Sequence, residues 1–210
     1  MAYPTTTEHH KKYPYTSIMG SPYSCDPTGV IDCAASIESI KANQSNVGTI
    51  FIPKGTFSIA TNLTIPVGMK LKFEAGGSFS ISTGVALTVN GSIEAESYQI
   101  FSGVGSITFA GGTKVKASWF ADFATSVDKV ATAAVTLEVT KSETISGDKT
   151  VAATTCLQIP KGCVLTIATT KTLTINGPLE AGLYQIFSST GTGKVIFGTA
   201  SVTEVYTQWW

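Results

Sequence analysis

Only one pair of acidic residues in this chain has the spacing that would place two carboxylates on the same face of a strand. Glu94 and Glu96 are two residues apart, and side chains at i and i+2 of a β-strand point to the same side. A glycoside hydrolase needs two carboxylates about 5 to 9.5 Å apart. A related stretch later in the chain keeps Glu180 but has Gly182 at the second position. We therefore interpret Glu94 and Glu96 as polar groups of a turn and a surface.

The other residue types that carry chemistry do not form a recognisable site. His9 and His10 stand beside two lysines near the N-terminus, a pattern typical of a solvated tail. The four cysteines are Cys25, Cys33, Cys156 and Cys163. They form neither a CxxC pair nor a Cys/His cluster, which argues against zinc. Cys156 and Cys163 could approach each other across the segment LQIPKG, and their pairing stays open. We expect no catalytic residue, no metal and no cofactor.

Charge and hydropathy exclude two classes of partner. The net charge is zero, the chain contains no arginine, and its lysines form no basic stripe, so nucleic-acid binding has little support. No run of ~18 apolar residues exists, so we expect no membrane insertion. The N-terminus has no apolar segment of the signal-peptide kind. The sequence therefore predicts a protein made in the cytoplasm, which could leave the cell by lysis as a virion protein does.

A long internal repeat indicates the architecture. LTVNGSIEAESYQIFS at 87–102 returns as LTINGPLEAGLYQIFS at 173–188, with eleven of sixteen positions identical. Repeats of this kind are typical of solenoids and arrays. The repeated residues are strand-like, rich in turns and nearly uncharged, which favours a scaffold over a catalytic centre.

The elements around the repeat recur in the same order. Residues 32–43 have the apolar spacing of a short helix, with Asp32 as a plausible N-cap, and 126–135 predicts a second helix. Short alternating strands separated by Gly, Asn-Gly and Pro turns follow each helix. Trp119-Phe120 closes the first series and Trp209-Trp210 closes the second.

This order divides the chain into an extended N-terminal arm and two units. The arm covers 1–24, the first unit covers 25–120 and the second covers 121–210. Two arrangements of the strands are open at this point. Asn90-Gly91 and Asn176-Gly177 are strong β-hairpin signals, whereas short strands with Ser and Thr between apolar residues suit stacked parallel coils.

The start of the first unit carries a family resemblance. CDPTGVIDCAASIESI at 25–40, followed by IPKGTF at 52–57, resembles the opening of the pectate-lyase superfamily of right-handed parallel β-helices. The Asp-Pro-Thr-Gly run that begins at Asp26, together with Asp32 and Ala35, keeps the family pattern. Ser24-Cys25 stands where Gly-Ala is common. The resemblance favours the coil arrangement over hairpins.

The later coils are similar to those of bacteriophage tailspike and tail-fibre proteins of this superfamily. Val115, Trp119 and Phe120 fit a segment that leads into a capping helix there, although Ala121 stands where Gly is expected. The resemblance implies a parallel homotrimer, and it implies that the long β-helix that carries the catalytic acids of enzymatic tailspikes would lie beyond Trp210. Lyase relatives imply clustered acidic calcium ligands with a basic residue, and no such Asp cluster is present.

We therefore predict an all-β protein: a right-handed parallel β-helix of two short units, each opened by a capping α-helix. The leading function is that of a structural virion protein, such as a tail spike, tail fibre or adaptor. It would anchor through its arm and contact another virion protein or a host surface glycan. One alternative is a polysaccharide-degrading enzyme, either a hydrolase or a lyase, and another is a bacterial surface adhesin. The candidate interface residues are Tyr3, Tyr13, Tyr15, Trp119, Trp209 and Trp210.

Overall fold

The computed structural model describes residues 15–199 and 201–210, and the chain divides into two compact units between Thr108 and Phe109. Each unit consists mainly of short strands in parallel sheets and has one α-helix among its described residues. The fold is therefore mainly β, as expected. The order of motifs predicts a repeat boundary at residue 121, and this stays a prediction about the repeat.

The strands are two to five residues long. Strands β1 to β11 cover Thr16–Ser17, Thr28–Asp32, Gly48–Ile52, Gly55–Ile59, Leu63–Ile65, Met69–Phe73, Gly77–Ile81, Ala86–Val89, Ser92–Glu94, Phe101–Gly103 and Ser106–Phe109. Strands β12 to β21 cover Lys114–Lys116, Thr136–Glu138, Glu143–Ile145, Lys149–Val151, Cys156–Gln158, Leu165–Ile167, Thr172–Ile175, Leu179–Glu180, Phe187–Ser189 and Lys194–Phe197. Helix α1 is Ala34–Asn43, helix α2 is Phe123–Val130, and two 3-10 turns span Ala117–Trp119 and Thr207–Trp209.

Except for β12 and β13, paired strands are not consecutive in the sequence. The first eleven strands form three sheets, which have the orders β1-β3-β6-β9, β10-β7-β4-β2 and β11-β8-β5. The second unit has the orders β12-β13-β16-β19, β14-β17-β20 and β15-β18-β21. The pairs are parallel, as between β4 and β7, where Phe57 lies opposite Phe79. Apart from β1, β2 and β12, each strand that has a later partner bonds to the strand three positions later, one circuit on, and the two strands between them belong to the other two sheets of the unit.

This pairing excludes the hairpin alternative. The strands on either side of Asn90-Gly91 are β8 and β9, which belong to different sheets. The same holds for β18 and β19, which flank Asn176-Gly177. The two Asn-Gly dipeptides thus form corners between sheets rather than hairpin turns.

The core lies between the three sheets of each unit. Strands such as β6 and β7 alternate buried and half-buried residues, with apolar side chains inward and Lys or Ser outward. Phe57, Phe79 and Phe101 occupy one register position on successive strands, and each is at most 1% exposed. Phe73 meets the Phe79 ring edge-on at 5.2 Å. The parallel register therefore places phenylalanine next to phenylalanine on successive strands in the core of the first unit.

Both helices begin at positions fixed by an aspartate. Helix α1 begins at Ala34, and the carboxylate of Asp32 accepts the Ala34 amide at 3.0 Å from one residue before the N-cap. The second helix lies a few residues earlier than the predicted 126–135. Helix α2 begins at Phe123 because Asp122 is its N-cap and accepts the Thr125 amide, and it ends where Ala131 adopts a positive φ of 45°.

Asp32 also ties the helix to the sheets. Its carboxylate accepts the Ala60 amide at 2.9 Å and the Thr61 hydroxyl at 2.7 Å. Partial burial raises the pKa of Asp32, but the hydrogen bonds from Ala60, Ala34 and Thr61 outweigh it and leave the pKa below its ordinary value. The ionised carboxylate is therefore the form that the fold binds.

Asp32→Ala should lower the free energy of unfolding by about 2–3 kcal/mol at pH 7, because it removes three hydrogen bonds to a charged group. The carboxylate contributes above its ordinary pKa of ~3.9, and this contribution is lost as the pH falls through the lower folded-state pKa. Urea unfolding at pH 7 and at low pH measures both effects. Ala35→Ser, an exposed change within α1 that touches no charged group, is the control. An unchanged gap between wild type and Asp32→Ala at low pH would contradict this role.

Candidate functional site

The acidic pair singled out in the sequence does not form a site. Strand β9 ends at Glu94, so Glu96 does not continue the same strand face. The Glu94 carboxylate contacts Lys72 Nζ at 2.5 Å and Lys70 Nζ at 3.1 Å. The ammonium group of Lys72, and to a smaller extent that of Lys70, holds the pKa of Glu94 below its ordinary value. Glu94 is thus an exposed member of an ion-pair cluster, and Glu96 is exposed beyond the strand.

A row of three polar side chains, two of them acidic, lies on the outer face of the sheet β12-β13-β16-β19. Glu138, Gln158 and Glu180 occupy the same register position on β13, β16 and β19. Neighbouring strands lie about 4.8 Å apart, so the backbones of the two glutamates are about 10 Å apart with the glutamine between them. This row of side chains is the first component of a candidate site.

The row lines an open cleft of about 340 Å³. Its lining residues are Lys114, Glu138, Gln158, Ile159, Pro160, Glu180, Ala181 and Tyr184. The cleft thus offers two carboxylates, one ammonium group, one amide and one aromatic ring. Such a mixture of a flat apolar ring and hydrogen-bonding groups suits a polar ligand with a ring face.

The polar groups of the cleft are partly engaged with one another. Lys114 Nζ contacts Glu138 Oε1 at 3.0 Å, and the Glu138 side chain is only 20% exposed. Gln158 Nε2 donates to Glu180 Oε2 at 3.0 Å. Gln158 Oε1 is buried and has no hydrogen-bond partner among the described residues. An unsatisfied buried acceptor carries a free-energy cost, which a donor on a ligand would relieve.

The two carboxylates also affect nearby thiols. Burial, and then the charge of Glu180, raise the pKa of Cys156, while burial, and then the charge of Glu138, raise that of Cys163. Both cysteines are free thiols in this structure. Protonated thiols are poor nucleophiles and poor metal ligands, so the chemistry of the cleft rests on its carboxylates.

Tyr184 has a structural partner as well as a place in the cleft. Its hydroxyl donates to the carbonyl of Ile159 at 2.9 Å, and in the first unit Tyr98 donates to the carbonyl of Phe73 at 2.6 Å. The repeated Tyr-Gln-Ile-Phe motif therefore joins a corner to the preceding circuit in both units. In the second unit the ring also forms part of the cleft wall.

Residues two apart along the chain give no sign of this cleft, because its polar side chains come from strands about twenty residues apart. The usable signal was the recurrence of Leu-Glu at 137–138, Leu-Gln at 157–158 and Leu-Glu at 179–180, about one circuit apart. Each Leu is an inward neighbour of an outward polar residue. A search at the circuit spacing would have placed the three polar side chains in one row.

The predicted interface residues have different environments. Tyr3 and Tyr13 lie outside the described residues. Tyr15 is half-buried, with its ring 4.7 Å from that of Phe51. Trp119 is buried on the 3-10 turn Ala117–Trp119. Of the two described residues, Tyr15 and Trp119, only Tyr15 has part of its surface open to solvent.

The two C-terminal tryptophans differ from each other. Trp209 is buried: its Nε1 donates to the carbonyl of Gly182 at 3.0 Å, and its carbonyl accepts the Ile186 amide at 3.0 Å. Trp210 is 48% exposed and its ring lies 5.6 Å from that of Phe187. Trp209 therefore packs on the last strands of its own unit, and Trp210 presents apolar surface.

Comparison with known proteins adds no assignment. The chain matches no family model, no curated protein and no solved structure at a significant level. Within 15–199 and 201–210, no three His, Cys, Asp or Glu side chains are grouped so as to hold a metal ion. No helix in the described part of the chain is long and apolar enough to cross a membrane.

Proposed function

We propose that this chain is a right-handed parallel β-helix of the tailspike type within the pectate-lyase superfamily, and that it serves as a structural virion protein of a bacteriophage. The observation that carries the proposal is the parallel pairing of strands one circuit apart in three sheets per unit. Parallel strands joined by crossovers are right-handed in about 98% of cases. One helix in each unit, α1 held by Asp32 and α2 capped by Asp122, supports the proposal of two capped units.

The proposed role follows from the surfaces that such a protein would use. The part of the arm before β1 would anchor the chain to another virion protein, because Thr16–Ser17 already pairs with β3 in the first unit, and three copies would associate in parallel. The exposed ring of Trp210 would contribute to contacts between copies or with a neighbouring virion protein. The cleft of the second unit would face a host surface glycan.

One observation favours a second function, a polysaccharide-degrading enzyme. Glu138 and Glu180 line one cleft on either side of Gln158. Their backbone spacing of about 10 Å lets flexible side chains bring the carboxylates within the ~6.5–9.5 Å typical of inverting glycosidases. Lys114 Nζ lies 3.0 Å from Glu138 Oε1 and places a positive charge beside one of the two carboxylates. Nothing comparable favours a bacterial surface adhesin.

One set of measurements tests both functions on the full chain. We expect a trimer by light scattering, and we expect an antibody against the chain to label phage particles. We also expect the chain to retain bacterial surface polysaccharides without generating reducing ends, and Glu138→Gln with Glu180→Gln should weaken this retention at least several-fold. Glu94→Gln, an exposed ion-paired glutamate on the first unit, is the matched control.

The outcomes separate the two functions. A monodisperse monomer with no antibody label on particles would overturn the structural proposal. Release of reducing ends that either cleft substitution abolishes, and that Glu94→Gln leaves intact, would establish the enzyme instead.

A further inference from the structure

Two of the four cysteines lie against each other ahead of helix α1. Cys25 is 6% exposed and Cys33 is 1% exposed. The Cys25 thiol donates to the carbonyl oxygen of Cys33 at 3.9 Å, and the two thiols are close enough for each to shift the pKa of the other. Cys33 Sγ lies 3.7 Å from the Ile31 carbonyl and 3.9 Å from the Asp26 carbonyl. The two sulfurs therefore meet at the base of the loop that they bracket.

Asp26 holds that loop in one shape. Its carboxylate accepts the Thr28 amide at 2.9 Å, the Thr28 hydroxyl at 2.7 Å and the amides of Val30 at 3.1 Å and Ile31 at 3.0 Å. Such a network fixes the backbone between the cysteines without any covalent link. The approach of the two cysteines is thus part of the native fold.

The two cysteines differ in acidity, because the interaction between their thiols shifts the two pKa values in opposite directions. Donation from Cys33 lowers the pKa of Cys25, and the same contact raises the pKa of Cys33. Cys25 is therefore the sulfur of the pair that ionises more readily. Because the thiolate is the reactive form, Cys25 is the sulfur that meets an oxidant first. Cys156 and Cys163 lack this advantage, since burial and nearby carboxylates raise the pKa of both.

We propose that Cys25 and Cys33 form a redox site in which hydrogen peroxide or a similar small peroxide produces a disulfide across the Asp26 loop. The inference does not rest on the proposed function. The Cys25 thiolate attacks one peroxide oxygen, so that an S–O bond forms, the O–O bond breaks and hydroxide leaves. The Cys33 sulfur then attacks the sulfenic sulfur, so that the S–S bond forms and the S–O bond breaks. The departing hydroxide and the Cys33 proton leave as water. Both sulfurs are oxidised and the peroxide is reduced to water.

The bond would fix the entry to the first unit. Cys33 is the N-cap residue of α1, and Cys25 follows the turn that leaves β1. A disulfide there closes a short loop and removes freedom from the unfolded chain, so the oxidised protein should unfold several degrees higher than the reduced one. Reduction would return the loop to the hydrogen-bonded form.

Peptide mapping of the full chain tests the site directly. The reduced protein is treated with hydrogen peroxide, unreacted thiols are alkylated, and the chain is cut after lysine. Cys25 and Cys33 then share the peptide 13–41, while Cys156 and Cys163 fall in two other peptides. We expect peptide 13–41 to lose two hydrogen atoms and to resist alkylation, while Cys156 and Cys163 are alkylated in full.

Three variants complete the test. Cys33→Ser should leave Cys25 as a sulfenic acid that a dimedone probe captures, and it should move alkylation of Cys25 to higher pH. Cys25→Ser should leave Cys33 inert, and Cys156→Ser should leave the oxidation of the pair unchanged. Preferential oxidation of the more exposed Cys156, or full alkylation of Cys25 and Cys33 after peroxide, would overturn the proposal. Because the wild-type map alone decides this, a variant that fails to fold leaves the test intact.

Discussion

Gly177→Ala is expected to lower the free energy of unfolding by about 3 kcal/mol, the upper end of the cost of overpacking. A Cβ atom at this position would lie 2.0 Å from the carbonyl oxygen of Thr155 and 2.5 Å from that of Ala152. Both are backbone atoms on the preceding circuit, so neither can turn away as a side chain would. Equilibrium unfolding in urea measures the loss.

The matched control for this substitution is Gly147→Ala in the same unit. A Cβ at Gly147 would meet nothing within 4 Å, so this variant should match or slightly exceed the wild-type stability. Gly91→Ala in the first unit should repeat the large loss, since its Cβ would lie 2.0 Å from the Met69 carbonyl oxygen. Equal unfolding midpoints for Gly177→Ala and Gly147→Ala would refute the close approach.

Phe79→Ala is expected to cost about 3–5 kcal/mol, because it empties the middle position of a stack of three buried rings. Phe57 and Phe101 lie opposite it on β4 and β10, and Phe73 contacts its ring edge. Fixed backbones on both sides limit any collapse into the space left behind. Thermal and urea unfolding of the full chain both report the change.

Ser80→Ala is the control for this core substitution. Ser80 is the next residue on β7, and its half-buried side chain points away from the rings. We expect a change within about 0.5 kcal/mol for this variant. A loss for Phe79→Ala no larger than that for Ser80→Ala would mean that the ring stack does not support the first unit.

Features that repeat along the chain were predictable from the sequence. Alternation of apolar residues with Ser, Thr and Lys indicated strands, and Asp32 marked the start of α1 to within two residues. The second helix was placed too late because Asp122 was not recognised as its cap. The sequence thus predicted the class of structure and one helix well, and it predicted the other helix with a shift.

Features that depend on register were not predictable from local pattern. Asn90-Gly91 and Asn176-Gly177 are hairpin signals in isolation, yet each glycine is required because another circuit passes against its Cα. Glu138, Gln158 and Glu180 form a row only after the strands have been paired one circuit apart. Lateral contact between distant segments is a tertiary property, and it overrides the local preference in both cases.

The parallel register also makes each unit countable. Since β3, β6 and β9 follow one another at one circuit per strand, adding or removing a whole circuit would alter the height of a unit by about 4.8 Å and leave every other rung bonded as before. Duplication or deletion of one circuit would therefore change the reach of such a protein in fixed steps. One circuit of the sequence would therefore correspond to one fixed increment in the height of a unit.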